Sequence, residues 1–232
     1  MCIRDRNSVS VREILLHNVA LAFPLEGGIS QLSRRISACY SMAYDRVMED
    51  PWISANDRRV QIGHQRRCYV NTAMSEMAAE HPEILSAMEK KEGEEGFNNR
   101  VEFSARNFVI THHHHYQCPS MPTDFLRLKS SYGKKNAMMN DPMQGELFTP
   151  EQIVNPNLQA KPMNLLILHE NNEETLSEVG RIEFVFPKKS RKFVALSVKE
   201  LVQMQGYLLD LEPDDLMDFQ RKSAEGLRRI AG

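Results

Sequence analysis

Four consecutive histidines, His112-His113-His114-His115, close the segment with the strongest strand character in this chain and make up half of its eight histidines. On a strand, successive side chains face opposite ways. His112 and His114 would therefore share one face and His113 and His115 the other, giving two candidate His-x-His pairs. Neutral imidazoles two residues apart can chelate a divalent transition metal when a third ligand arrives from elsewhere. The face of His112 and His114 also holds the bulky Phe108 and Tyr116. That parity is expected to be buried and structural, so the expected metal ligands are His113 and His115, with Asp124 as third ligand or base.

No motif supplies the third ligand outright. A cupin-type site would want an acidic residue four or five positions after the second histidine, where the chain reads Gln117-Cys118-Pro119-Ser120, and there is no HExxH. The alternative for the run is a polar strand end whose imidazoles bond to backbone carbonyls or water.

A second group of candidates lies on an expected helix carrying Arg58, Arg59, Arg66 and Arg67 together with Gln61, His64 and Gln65. Arg59 and Arg66 are seven residues apart and so share a face with Ile62, Val70 and Met77. Guanidinium groups repeated along a helix suit phosphates, because each offers a planar fork of donors. A third group runs from Asp124 to Lys135. If Phe125 to Ser131 is a strand, Arg127, Lys129 and Ser131 share one face, and Lys134 and Lys135 continue the basic character. Basic residues interleaved with aromatics can track a nucleic-acid backbone. The expected ligand-binding set is thus Arg59, Arg66, Arg67, Arg127, Lys129, Lys134 and Lys135.

Several enzyme classes find no support. The chain has no Walker A loop, no GxGxxG fingerprint and no GxSxG elbow, and Gly27-Gly28 reads as a helix break. A nuclease of the paired-carboxylate type would want Glu-x-Lys, and Glu183-Phe184-Val185 lacks the lysine. The net charge of -2 gives no whole-chain attraction to nucleic acid or to an anionic membrane, so such a partner must meet a local patch. Cys2, Cys39, Cys68 and Cys118 form no CxxC pair, which suits a reduced, cytoplasmic setting. No apolar stretch nears the roughly 18 residues of a spanning helix, so no membrane segment is expected.

These candidates need elements to position them. The segment 1–7 opens with Met-Cys-Ile-Arg-Asp-Arg, which looks like a translated sequencing-adapter remnant, and is set aside as a non-native leader. Ser10-Val11-Arg12-Glu13 is a capping box that opens a helix to Phe23. Helical spacing continues from Ile29 to Met48 and from Asp57 to Glu80, where His81-Pro82 stops it. Residues 8–88 are expected to form a helical unit, and 89–96, Glu-Lys-Lys-Glu-Gly-Glu-Glu-Gly, a charged linker. Beyond it, 97–232 is expected to be an α+β domain with one strand over Val101 to Tyr116 and others at Phe125 to Ser130, Leu165 to His169, Ile182 to Phe186 and Phe193 to Leu196. Short helices are expected at Thr149-Pro150-Glu151-Gln152 and Ser197-Val198-Lys199-Glu200, and a final amphipathic helix from Pro213 to Ile230.

The fold class expected is therefore α+β: about three N-terminal helices, then a mostly antiparallel sheet with short helices and a C-terminal helix. The function expected is a module that binds nucleic acid through the arginine-rich helix and the basic strip. The alternatives are a metal-dependent enzyme centred on the histidine run and a protein-interaction module using the N-terminal helices.

Overall fold

The computed structural model describes residues 10–92, 98–115, 163–172, 174–188 and 191–231. Within them the chain forms α1 (Val11–Leu21), α2 (Gly28–Met48), α3 (Ala55–Glu80), β1 (Leu85–Glu92), β2 (Asn98–Ala105), β3 (Phe108–His115), β4 (Met163–Asn171), β5 (Val179–Lys188), β6 (Arg191–Ser197), α4 (Val198–Leu209) and α5 (Pro213–Ala231). The class is α+β as expected, and the helix boundaries lie within about two residues of those read from caps and periodicity. Ser10 accepts from the Glu13 amide and Glu13 returns a bond to the Ser10 amide, which closes the capping box at α1. The Ser54 hydroxyl oxygen caps α3 by accepting from the Asp57 amide. Gly27 takes φ 81, a left-handed conformation that glycine adopts without steric penalty, and turns the chain into α2.

The six strands lie in chain order in one sheet, and every neighbouring pair is antiparallel except β3 and β4. The strand expected over Val101 to Tyr116 is in fact two. A turn at Arg106-Asn107, with Arg106 at φ 49, folds β2 back on β3 so that Ala105 pairs with Phe108. This turn accounts for the conflicting side-chain parities of the segment. Val101, Phe103 and Ala105 on β2 face the same way as Phe108 and Ile110 on β3, because pairing across a two-residue hairpin puts an odd and an even position on one face.

That face carries the main core. Phe103, Phe108, Ile110, Leu165, Ile167, Phe184 and Phe186 join Leu15, Phe23, Ile36, Tyr40, Met74, Leu201 and Leu227 in one buried cluster. Burying side chains of this size contributes roughly 1.5–3 kcal/mol each against exposure. The opposite face holds a smaller cluster of Leu166, Leu168 and Val185. The helices and the sheet thus share a core, and the boundary expected at residue 88 does not separate them.

The linker expected at 89–96 is corrected in its first half. Residues 89–92 continue β1, with Glu89 opposite Val101 and Glu92 opposite Asn98. Among the described residues β1 is an edge strand, where charged residues are tolerated and discourage pairing with other chains. Residues 93–96 lie outside the described residues, as do the strand expected at Phe125 to Ser130 and the helix expected at Thr149.

α4 begins with the second capping box. Ser197 accepts from the Glu200 amide at 3.2 Å, while the Glu200 carboxylate accepts from the Ser197 amide at 2.9 Å and from Arg12 on α1. The Ser197 amide first, then Arg12 and the Ser197 hydroxyl, hold the Glu200 carboxyl down at about 2. Ser197→Ala is expected to lower the unfolding free energy by about 1 kcal/mol, read as a fall in Tm. A depressed carboxylate stabilises above its ordinary pKa, and this contribution is lost as pH falls from about 4.5 toward about 2. The gap between wild type and variant is expected to narrow across that window.

Candidate functional site

One group of buried polar residues gathers where the only parallel pair among the described strands ends. β3 and β4 run side by side with His112 opposite Ile167 and His114 opposite His169. The side chains of His112, His114, His169 and Asn171 point to the helical face, where α2 brings Tyr40 and α3 brings Arg66 and Asn71. The carboxyl ends of parallel strands are a recurrent place for ligand sites, because adjacent strand ends present several side chains to one crevice.

Two sets of contacts organise the cluster. In the first, the Tyr40 hydroxyl lies 2.8 Å from His169 Nδ1, His169 Nε2 lies 3.1 Å from His112 Nδ1, and His112 Nε2 lies 2.8 Å from Asn71 Oδ1. The rings of His112 and His169 stack at 5.3 Å between centroids. In the second, Arg66 Nη1 lies 2.6 Å from His114 Nε2, and Nη2 donates to the Leu176 carbonyl at 2.7 Å. The Arg66 guanidinium carbon sits 3.9 Å above the Tyr40 ring, a cation–π contact that links the two sets.

Arg66 is only 1% exposed, and a buried guanidinium is expensive unless its donors are engaged. Since a guanidinium can only donate, His114 Nε2 accepts and the neutral ring carries its proton on Nδ1. Asn171 Oδ1 approaches the same nitrogen at 3.2 Å, and only with its amide turned over would Asn171 offer a donor there. His169 is 1% exposed. Burial first, and then the neighbouring imidazoles and the Arg66 cation, hold its imidazole well below the ordinary range, so it is neutral at pH 7.

The histidines that meet are therefore His112, His114 and His169. His113 is partly buried on the opposite face of the sheet, while the His115 side chain and Asp124 lie outside the described residues. Among the described residues no three His, Cys, Asp or Glu side chains are grouped to hold a metal ion. The arginines also part company. Arg66 is in the core, Arg67 is partly buried and Arg59 is exposed, so the three present no single surface. Arg127, Lys129, Lys134 and Lys135 lie outside the described residues. Among the described residues no helix is long and apolar enough to cross a membrane.

Tyr40, Asn71, His169 and Asn171 were not legible as site residues. Tyr40 reads as one more member of the apolar stripe of α2, although a buried phenol needs a partner for its hydroxyl. His169 had the clearest signal: it follows the apolar run Leu165 to Leu168 within one strand, and a polar ring there must find hydrogen bonds. Compared with known proteins, the chain matches no family model, no curated protein and no solved structure.

Proposed function

We propose that the protein binds a phosphate-bearing ligand, with nucleic acid as the leading class, through Arg66 and His114, and that His114 carries the proton in chemistry on it. The observation that supports this reading is the 2.6 Å contact between Arg66 Nη1 and His114 Nε2, in which a buried guanidinium is backed against a partly exposed histidine. An oxyanion that accepts the Nη1–H hydrogen bond in place of His114 frees His114 Nε2. Binding of the anion and release of a general base are then one event. Cleaving a phosphodiester needs both parts, a fixed cation for the developing charge and a group that moves a proton. The parallel strand ends and the stacked Tyr40 ring hold the pair in place.

The reading is tested by calorimetric titration of the full chain with inorganic phosphate, a mononucleotide and a short single-stranded oligonucleotide, at about 50 and about 200 mM salt. Arg66→Gln, which keeps an N–H donor for His114 but removes the cation, is expected to weaken binding by about 10-fold or more, the equivalent of one charge-assisted hydrogen bond. Oligonucleotide affinity that drops steeply with salt identifies a polymer ligand, and phosphate or mononucleotide binding of similar strength identifies a small one. If none of the three binds at the lower salt, the reading fails.

A further inference from the structure

We infer that Asn71 is a positioning residue that sets the tautomers of both His112 and His169 and, through them, the direction in which Tyr40 gives its proton. The inference deepens the proposed chemistry by separating two histidines that stay fixed from the one, His114, left to change. It rests on that reading only for the role of His114.

The Val101 amide fixes the polarity of the first link, because a backbone N–H can only donate. The backbone N–H of Val101 donates to Asn71 at 3.2 Å, so the atom that Asn71 turns toward it is the carbonyl oxygen. The same oxygen lies 2.8 Å from His112 Nε2 and cannot donate, which places the His112 proton on Nε2. A neutral imidazole has only one such proton. His112 Nδ1 is then an acceptor, and its neighbour His169 Nε2, at 3.1 Å, must donate to it. That leaves His169 Nδ1 bare, ready to accept from the Tyr40 hydroxyl at 2.8 Å.

Each link is decided by the one before, and the first is anchored to the backbone of β2. The chain ends at a carboxamide oxygen, which neither gives nor holds a proton near neutral pH. It therefore orients its members and does not conduct protons outward. A second proton on His112 would set Nδ1–H against His169 Nε2–H unless His169 and Tyr40 both reversed their roles, so without a negative charge at position 71 both rings stay neutral in one tautomer. Asn171 and Arg66 approach this face from β4 and α3 and contact His114, and the Arg66 guanidinium also lies over the Tyr40 ring.

The test is the long-range nitrogen–proton spectrum of the full-length protein labelled with nitrogen-15 at histidine, recorded near neutral pH. In the wild type, His112 and His169 are expected to be protonated at Nε2 alone. Asn71→Asp keeps the acceptor but adds a negative charge, and is expected to give His112 two protonated nitrogens. His169 must then accept at Nε2, so its proton is expected to move to Nδ1. Tyr40→Phe, which removes the far end of the chain, is expected to leave His112 on Nε2, since the anchor is Asn71. A wild-type spectrum with either proton on Nδ1 would overturn the inference. So would Asn71→Asp leaving both signatures unchanged, or Tyr40→Phe moving the His112 proton. The wild-type and Tyr40→Phe spectra decide the matter even if Asn71→Asp does not fold. None of these signals requires bound phosphate, so failure of the ligand titration is a separate result.

Discussion

Replacing Arg66 with alanine is expected to lower the unfolding free energy by about 3–5 kcal/mol, the range for breaking a buried charged contact. The change takes the donor from His114 Nε2 and from the Leu176 carbonyl. Each acceptor left without a partner costs up to roughly 1–3 kcal/mol, the upper end applying to full burial and these two being partly buried. It also removes the guanidinium from the Tyr40 ring and leaves a void between α2, α3 and the sheet. Urea unfolding followed by circular dichroism measures the effect as a lower midpoint. Arg66→Lys is expected to recover little, because an ammonium cannot bridge His114 and Leu176 with a planar fork. A loss below about 1 kcal/mol for the alanine variant, the level of a surface pair, would show that Arg66 does not anchor this corner.

The second large effect is a loss of stability on mild acidification. His169 is neutral in the folded protein because burial, and then the neighbouring imidazoles and Arg66, push its pKa well below the ordinary 6.5. In the unfolded chain it takes up a proton near pH 6.5. For a group whose folded pKa is depressed, the stabilisation is fully present above the unfolded value and disappears as pH falls below it. The expected slope is about 1.4 kcal/mol per pH unit for one proton, from about pH 6.5 downward. His17 on α1, lowered mainly by burial, acts with the same sign. The contribution of His169 is therefore the difference between wild type and His169→Gln, which keeps hydrogen-bonding capacity without titrating. Unfolding free energies measured from pH 7.5 to 5 should converge for the two proteins as pH falls. Parallel curves would mean that His169 is protonated in the fold or does not titrate on unfolding.

Both effects depend on residues that differ in how far the chain announces them. Arg66 stands out among the helix arginines, yet periodicity alone leaves its destination open, since one stripe holds both exposed Arg59 and buried Arg66. The histidine run was conspicuous, but the choice between its two faces turned on a hairpin at Arg106-Asn107. Reading Val101 to Tyr116 as one strand mixed two sets of inward positions. The turn resolves them: His112 and His114 follow Phe108 and Ile110 toward the helices, and His113 lies on the other side. The expectation that His112 and His114 lie on the buried side agrees with their placement. His112 is 6% exposed and His114 partly buried, and they meet polar partners there as well as apolar ones.

What the amino-acid sequence determined by itself is local. Caps at Ser10 and Ser197, the stop at His81-Pro82 and the 3.6-residue stripes of α2 and α3 act over a few residues, so they locate helices without knowledge of the rest. The alternation and β-branched content of the second half likewise mark strands. Only the tertiary structure decided that β3 pairs with β4 in parallel, a contact between residues more than 50 positions apart. That pairing sets His114 beside His169, and the packing of α2 and α3 over it adds Tyr40, Arg66 and Asn71. No local rule could assemble these residues, because hydrogen bonds such as Tyr40 to His169 span 129 positions and form only when the core of both halves closes around them.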